Sequence, residues 1–365
     1  MQSQPPIRQP TLDEVALRAG VSRSVASRVI NNAQHVSQAK RNAVELAVRE
    51  LGYVPNPTAR ALVTRQVGAV VLAVADDDPG LFADPFFAEV VVGVSAALEK
   101  TDLELMLVLA NTPDGRARLQ RVLRSRRADG VMLMALRADD PLNRLAEQTD
   151  LPVVIGGRPL HGEATWYVDS DNHGGARLAT QHLIDSGRRR IGTVTGQLDT
   201  HAGASRHQGF RDAMAVAGLG VTRVEEGDFT EAGGARAMSR LLRTHPDLDA
   251  VFAASDNMAA GALRALKEHG RTVPEDIAVV GFNDLMIARH TDPPLTTVYQ
   301  PIRELGHEMA RMLVRVIAGE RPSSLILPTR LVVRASAPLP EERTPVPGRP
   351  SGDLVSEAAR ADAPK

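Results

Sequence analysis

At 365 residues, with 43% hydrophobic and 24% charged side chains, the chain has the makeup of a soluble globular protein with room for two or three domains. It has no cysteine, which excludes disulfides, thiolate metal sites and cysteine nucleophiles. No run approaches 18 apolar residues and MQSQPPIRQP lacks an apolar signal core, so the sequence reads as a cytoplasmic protein with no membrane partner. The net charge of −1 hides an asymmetry: residues 1–65 carry nine Lys and Arg against four Asp and Glu, a net +5 that leaves −6 for the rest. A basic head on an acidic body suits phosphate contact at one end only.

Residues 1–10 are expected to be a disordered leader. In TLDEVALRAGVSRSVASRVIN (11–31), Thr11 and Glu14 form a capping box, and Leu12, Val15, Ala16 and Ala19 mark one apolar helix face. Gly20 ends that helix in the left-handed region glycine favours. Ser22 then caps a second helix that buries Val25 and Val29 and exposes Arg23, Ser24, Ser27 and Arg28. Two short helices around a tight Gly-Val turn predict a helix-turn-helix, whose second helix enters the DNA major groove. An ordinary helical hairpin would leave the Arg and Ser face without a task. Ser37 is expected to cap a third helix carrying Val44, Ala47, Val48 and Leu51, stopped by Gly52. Pro55 and Pro57 then break the pattern, and by composition alone residues 53–66 read as a plain domain linker, too short for a stable isolated helix.

From Val67 the grammar alternates. Apolar strand-like runs at 67–75, 103–110, 130–135, 152–156, 191–196, 249–254 and 277–282 are separated by helical segments at 86–100, 114–126, 140–148, 172–186, 203–217, 232–244 and 257–269. Continuous apolar strands between helices predict parallel sheets covered on both faces. There are too many units for one sheet, so two similar α/β lobes are expected, with a ligand cleft beyond the carboxyl ends of their strands. The tail from about Pro338, rich in Pro, Arg, Glu and Ala, is expected to be disordered.

Enzyme signatures are missing. There is no GxxxxGK[ST] phosphate loop and no GxSxG elbow, and His307-Glu308 runs into Met-Ala-Arg rather than completing HExxH. Asp76-Asp77-Asp78 lacks the spaced ligands of a calcium loop and reads as a solvated loop. The ten histidines are scattered. No catalytic residue, metal site or cofactor is assigned.

Residues 11–31 followed by VSQAKRNAVELAVRELGYVPNPTARAL resemble the head of the lactose/galactose repressor (LacI/GalR) family of bacterial transcription regulators. The likeness continues through DPFFAEVVVGVSAALE (84–99), DNHGGARLATQHLIDSGRRRIGTVTG (171–196), RHQGFRDAMAVAG (206–218), SDNMAAGALRALKEHG (255–270), VPEDIAVVGFND (273–284) and PPLTTVYQPIRELG (293–306). It covers roughly residues 10–336 in the family's order. It implies an all-α helix-turn-helix head (11–55), a hinge helix (56–65) and a periplasmic-binding-protein-like α/β effector domain of two Rossmann-like lobes (66–336). Lobe 1 would take about 66–168 and 299–328, lobe 2 about 169–298 and 329–336, and 337–365 would be tail.

On this likeness Arg23, Ser24 and Arg28 fall where the family reads base edges. An Arg pairs bidentately with guanine, worth roughly 1–3 kcal/mol of discrimination, so G·C pairs are expected in each half-site. Thr11, Ser22, Ser27 and Asn31 suit phosphate contacts, which position without specifying. Leu62 matches the family's minor-groove wedge, with Ala59 and Arg60 beside it in the hinge. In the cleft, Arg206 falls at the family's ligand-binding arginine and Phe229 at its sugar-stacking aromatic. Ser255 and Asp256 fall at a polar contact point, Phe86 and Phe87 line the opposite lobe, and Asn283 stands where the family's GFDD has its first ligand-binding Asp. Gly157-Arg158 likewise replaces a common Asp-Arg pair. Losing carboxylates weakens the case for a sugar, and an Arg with an Asn suits a carboxylate or phosphorylated ligand.

The expectation is therefore a sequence-specific DNA-binding transcriptional repressor. It acts as a homodimer on near-palindromic operator DNA, under control of a small molecule such as a sugar or sugar derivative between the lobes. A cytoplasmic solute-binding or sensor protein without base-specific DNA recognition is the alternative. It accounts for the lobes but not for residues 11–65.

Overall fold

The computed structural model describes residues 10–30, 35–54, 66–75, 85–160 and 164–339. The expectations for Asn31, Ala59, Arg60, Leu62, Asp76–Asp78, the hinge from Asn56 on, most of the leader and the tail beyond Leu339 fall outside them.

The head is three helices: α1 (Leu12–Arg18), α2 (Arg23–Ile30) and α3 (Gln38–Leu51). Both hydrogen bonds of the Thr11–Glu14 capping box form, with the Thr11 N–H donating to Glu14 Oε2 at 2.7 Å and the Glu14 N–H to Thr11 Oγ1 at 3.3 Å. Gly20 takes φ +64° and Gly52 φ +60°, so both helices stop where glycine lets the chain turn left-handed. Val15, Ala16, Ala26, Val29, Val44 and Ala47 form the core. Two details differ from the sequence reading. Ala26 rather than Val25 is the buried partner of Val29, because it faces Val15 and Val44 while Val25 is only half-buried. Ser37 occupies the N-cap position of α3 but makes no side-chain capping bond.

The body contains two six-stranded sheets. Strands β1 (Ala69–Val74), β2 (Glu104–Leu109), β3 (Gly130–Met134), β4 (Val153–Gly156), β5 (Tyr167–Ser170) and β11 (Leu325–Leu327) form lobe 1 in the order 11-5-4-3-1-2, all parallel. Strands β6 (Ile191–Thr195), β7 (Val224–Glu226), β8 (Ala250–Ala253), β9 (Ala278–Asn283), β10 (Thr296–Tyr299) and β12 (Arg330–Val332) form lobe 2 in the matching order 12-10-9-8-6-7, with β12 antiparallel. The chain crosses between lobes after β5, after β10 and after β11. Alternate residues of β1 serve opposite faces: Val70, Leu72 and Val74 meet α4 (Pro85–Leu98), while Val71 and Ala73 meet α5 (Pro113–Arg124). A short 3-10 turn (Pro141–Arg144) runs into α6 (Leu145–Gln148) in the same lobe. In lobe 2, α7 (Asn172–Asp185) and α8 (His201–Val216) cover one face, and α9 (Glu231–Thr244) and α10 (Asp256–Glu268) the other, with α11 (Ile287–His290) at its edge.

The long helix α12 (Ile302–Ile317) was not among the helices expected from sequence, although Ile302, Leu305, Met309, Met312, Leu313 and Val316 repeat at helical spacing and all are buried. It belongs to lobe 1 and packs along α4. The two helices approach through Gly93 and Gly306: a methyl on Gly93 would run into the Arg303 carbonyl, and one on Gly306 into the Val90 carbonyl. Ala337, placed in the tail from sequence, is buried, and its carbonyl accepts a hydrogen bond from His182 Nε2 at 2.8 Å. Gly306→Ala should destabilise the chain by about 1–3 kcal/mol through overpacking, read as a lowered unfolding midpoint in denaturant, whereas an alanine at solvent-facing Arg311 should leave the midpoint within experimental error.

Candidate DNA-reading face and ligand cleft

Helix α2 turns its small apolar side, Ala26 and Val29, into the head and leaves Arg23, Ser24 and Arg28 exposed on the opposite side. Ser22 precedes it, its Oγ accepting from the Val25 N–H at 3.4 Å and lying 3.0 Å from Ser24 Oγ. Arg23 Nε lies 3.5 Å from Asp13 across two largely exposed side chains, a surface pair of little energetic weight that solvent or a base edge can replace. Thr11 and Ser22 stand at the amino ends of α1 and α2, where free N–H groups favour a phosphate. Ser27 is half-buried on α2.

The cleft lies between the carboxyl ends of the two sheets and encloses about 1080 Å³, counting its open mouth. Six of the seven side chains expected there line it: Phe86, Phe87, Arg206, Phe229, Ser255 and Asn283. Asp256 does not. It lies beneath the floor, fully buried, with Oδ2 accepting from the Leu285 N–H at 2.7 Å and Oδ1 from the Thr297 hydroxyl at 2.5 Å. It opens a helix whose cap, Ser255, faces the cleft, but its own side chain turns back under β9 and β10.

Phe86 and Phe87 meet edge to face at 5.3 Å on the lobe 1 wall. Phe229 faces them from lobe 2, held at φ +66° with its ring over Gly196, where any Cβ would collide with it. Arg206 is 3% exposed rather than a helix-surface charge. Its Nε donates to Asn172 Oδ1 at 2.8 Å, and its two terminal nitrogens donate to the Ala254 carbonyl at 2.6 Å and to Gln300 Oε1 at 3.0 Å. Its guanidinium stacks 3.8 Å from the centre of the Phe282 ring. Asn283, at φ +113°, keeps a buried Oδ1 without a hydrogen-bond partner among the described residues. An unsatisfied buried acceptor on a cleft wall is a place for a ligand hydroxyl or amine.

Asp169 was missed from sequence. It lies near the end of β5 at 3% exposure and lines the cleft. Oδ2 accepts from Arg158 Nε at 2.9 Å and lies 3.5 Å from His201 Nδ1, while Oδ1 accepts from the Asn172 amide at 3.0 Å. Gly157-Arg158 lacks the acidic neighbour of an Asp-Arg pair, yet Arg158 regains a carboxylate from the adjacent strand. A strand of four residues shows too little alternation for sequence to tell which of Asp169 and Asp171 faces the cleft. Burial pushes the His201 imidazole below its ordinary pKa; Asp169 opposes the shift and Arg158 adds to it. Across the mouth, Arg137 Nε of lobe 1 meets Asp199 Oδ2 of lobe 2 at 3.0 Å, and the Ala138 N–H donates to the Asp199 carbonyl at 2.8 Å. On α12, Glu304, His307 and Glu308 bring possible metal-ligand atoms within 4.8 Å of one another, but Glu308 is already held by Arg311 at 2.7 Å.

A helix-turn-helix head joined to a two-lobed domain with an enclosed polar and aromatic cleft defines a ligand-responsive DNA-binding regulator. Residues 11–56 match the model of the bacterial regulatory proteins of the lacI family, and residues 180–337 match the periplasmic binding protein-like domain. The chain is 48% identical over 335 residues to the HTH-type transcriptional regulator CelR of Thermobifida fusca, covering 90% of this chain and 98% of that one. The solved CelR–cellobiose complex superposes with a TM-score of 0.72 at 46% identity, over 90% of this chain and 100% of that one. A Lac repressor dimer bound to operator and the anti-inducer ONPF superposes at 0.77 with 26% identity, over 91% and 100%. The chain belongs to the lacI family. It is a DNA-binding transcriptional regulator that works on operator DNA as a dimer and answers a small-molecule effector, and the solute-binding alternative is set aside. No described helix is long and apolar enough to cross a membrane.

Burial raises the Asp256 carboxyl from its ordinary 3.8 to about 7, against the Thr297 and Leu285 hydrogen bonds. The folded chain therefore keeps this proton after the unfolded chain has released it, and the group's contribution to stability falls as pH rises from about 4 to about 7. In denaturant melts, the stability deficit of Asp256→Asn relative to the parent should be larger at pH 5 than at pH 8. A deficit that widens with pH would show that the buried carboxylate is favoured as an anion.

Proposed function

We propose that this regulator is a repressor whose operator affinity is set by a short glucose oligosaccharide of the cellobiose type held between the lobes. The observation that carries the reading is the cleft itself. Facing aromatic walls from Phe86, Phe87 and Phe229 suit the apolar faces of pyranose rings, and Asp169, Arg158, Asn283 and Arg206 offer acceptors and donors to the hydroxyl rim. The recovered carboxylate at Asp169 favours a neutral polyol over the anionic ligand that Gly157-Arg158 and Asn283 suggest from sequence. The similarity to CelR, whose complex holds cellobiose, supports the same class.

In this reading Arg23, Ser24 and Arg28 read base edges in the major groove, while Thr11, Ser22, Ser27 and Asn31 fix register on phosphates. Leu62, with Ala59 and Arg60, enters the minor groove at the operator centre. Residues 11–55 form the head, 56–65 the hinge and 66–336 the effector domain. The protein acts in the cytoplasm, is not an enzyme and uses no cofactor. By linkage, a sugar that weakens operator binding must itself bind the DNA complex less tightly by the same factor.

Nuclease footprinting upstream of the protein's own gene should reveal a protected inverted repeat, and added cellobiose should change the affinity of the full-length protein for it. Cellobiose that binds tightly yet leaves operator affinity unchanged would sink the reading. Asp169→Asn should weaken cellobiose about 10–100-fold in calorimetry, as expected for a lost charge-assisted hydrogen-bond acceptor. Its sugar-free operator affinity should match that of the parent.

A further inference from the structure

The cleft and head leave unexplained an arginine-rich corner of lobe 1. Residues 115–128, GRARLQRVLRSRRA, contain six arginines and no carboxylate, inside a body whose net charge is negative. Arg118, Arg121, Arg124, Arg126 and Arg127 are all exposed. Among the described residues, only Arg126 of these five has an ion-pair partner: Asp150, 3.6 Å away, with both side chains largely in solvent. Elsewhere in the body arginines commonly have carboxylates, as in Arg158–Asp169, Arg240–Glu225, Arg303–Glu89 and Arg334–Asp284. Arg121 and Arg124 lie in the last turn of α5, where the helix dipole favours a cation. That accounts for one or two positive charges, not for Arg126 and Arg127 beyond the helix end.

The corner lies beside the point where the chain enters lobe 1. Asp129, two residues past Arg127, accepts the N–H groups of Val67 at 2.8 Å and Gly68 at 2.7 Å. The arginines are therefore pinned at the end of lobe 1 where the chain arrives from the head. Only residues 55–65 separate the last described residue of the head, Val54, from Gln66, a span of at most roughly 40 Å even if fully extended. That is close to one turn of duplex, about 34 Å. Glu104 stands at the same end, as do Asp102 and Lys100, so the basic surface is confined to the α5–β3 corner.

We propose that Arg121, Arg124, Arg126 and Arg127 form a second DNA-contact surface, which rests on phosphates outside the base pairs read by the head. Such contacts add affinity and salt dependence without adding sequence preference. The test uses the full-length protein and two duplexes carrying the footprinted repeat, one trimmed to it and one extended by about 15 base pairs on each side. Log affinity is plotted against log salt for the parent, for an Arg124→Gln/Arg126→Gln/Arg127→Gln variant and for the corresponding triple lysine variant.

On the extended duplex the glutamine variant should bind more weakly, with a slope shallower by about 0.9 for each phosphate it no longer neutralises. On the trimmed duplex it should match the parent, and the lysine variant should match the parent on both. Parental affinity and slope for the glutamine variant on the extended duplex would overturn the proposal. Equal weakening on both duplexes would overturn it too, by showing that the corner supports the head rather than flanking DNA. If the parent binds neither duplex, operator recognition itself has failed and the corner's role falls with it, whereas parental binding no tighter on the extended duplex than on the trimmed one would overturn the corner's role alone.

Discussion

The body is organised around one buried cation. Arg206 reaches from α8 to Asn172, just after the crossing that follows β5, and to Gln300, the first residue after β10, while also holding the Ala254 carbonyl at the end of β8. Burying a guanidinium is costly unless its hydrogen bonds are satisfied, and each hydrogen bond to such a charged group contributes about 1.5–3 kcal/mol. Two of the three connections between the lobes thus start from groups fixed by the same side chain. The floor of the cleft and the hinge of the body are one hydrogen-bonded unit. A ligand that touches Arg206, Asn172 or Gln300 changes forces on the crossings directly, and no long path is needed to carry its effect from cleft to lobe orientation.

Much of this was legible in the sequence, and the parts that were not share a cause. The helix-turn-helix was readable because caps and left-handed glycines act locally: Thr11 with Glu14, then Gly20 and Gly52. Six of the seven strands read as such are interior parallel strands, whose burial on both faces requires continuous apolar runs, and the seventh, β2, is an edge strand with a run of the same kind. The strands passed over, β5, β7, β10, β11 and β12, have three or four residues each and draw their identity from neighbours distant in sequence. Helix α12 is different, since its periodicity is plain, and only its place under lobe 1 depends on the chain returning from lobe 2. Asp169 and Asp256 show the limit at the site. Both are buried carboxylates beside helix starts, yet one faces the ligand space and the other braces the backbone beneath it. Sequence spacing alone carries no such direction.

The charges have a similar division of labour. Inside the cleft each cation is held by groups already in place: Arg158 by Asp169, Arg206 by amides and a carbonyl, and Arg137 by Asp199. These partners fix side-chain positions before a ligand arrives, so less ordering is left for binding to accomplish. On the outside, Arg23 has, among the described residues, only a long contact to Asp13, and Arg28 and the corner of lobe 1 project into solvent. An exposed arginine without a strong partner keeps its donors for phosphate or a base edge. The acidic remainder of the body lowers general attraction to DNA, which confines contact to those surfaces that carry a local excess of positive charge.

In the proposed reading, closure of the lobes around a ligand rests on a balance at the mouth. Arg137–Asp199 and the Ala138 N–H to Asp199 bond tie lobe 1 to lobe 2 on the rim, but the ion pair is partly exposed, and pairs of that kind contribute about 0–1 kcal/mol. Alone it cannot hold the lobes in one arrangement against thermal motion. A ligand that bridges Phe86 and Asp169 on one side to Phe229 and Asn283 on the other adds contacts available only when the lobes are close. Moving such an equilibrium from 1:99 to 99:1 takes about 5.5 kcal/mol of differential binding. A few charge-assisted hydrogen bonds and the burial of two ring faces fall within that range. A weak clasp over a rigid floor therefore suits a regulator: the floor fixes what can bind, and the rim leaves the decision between lobe arrangements to the ligand.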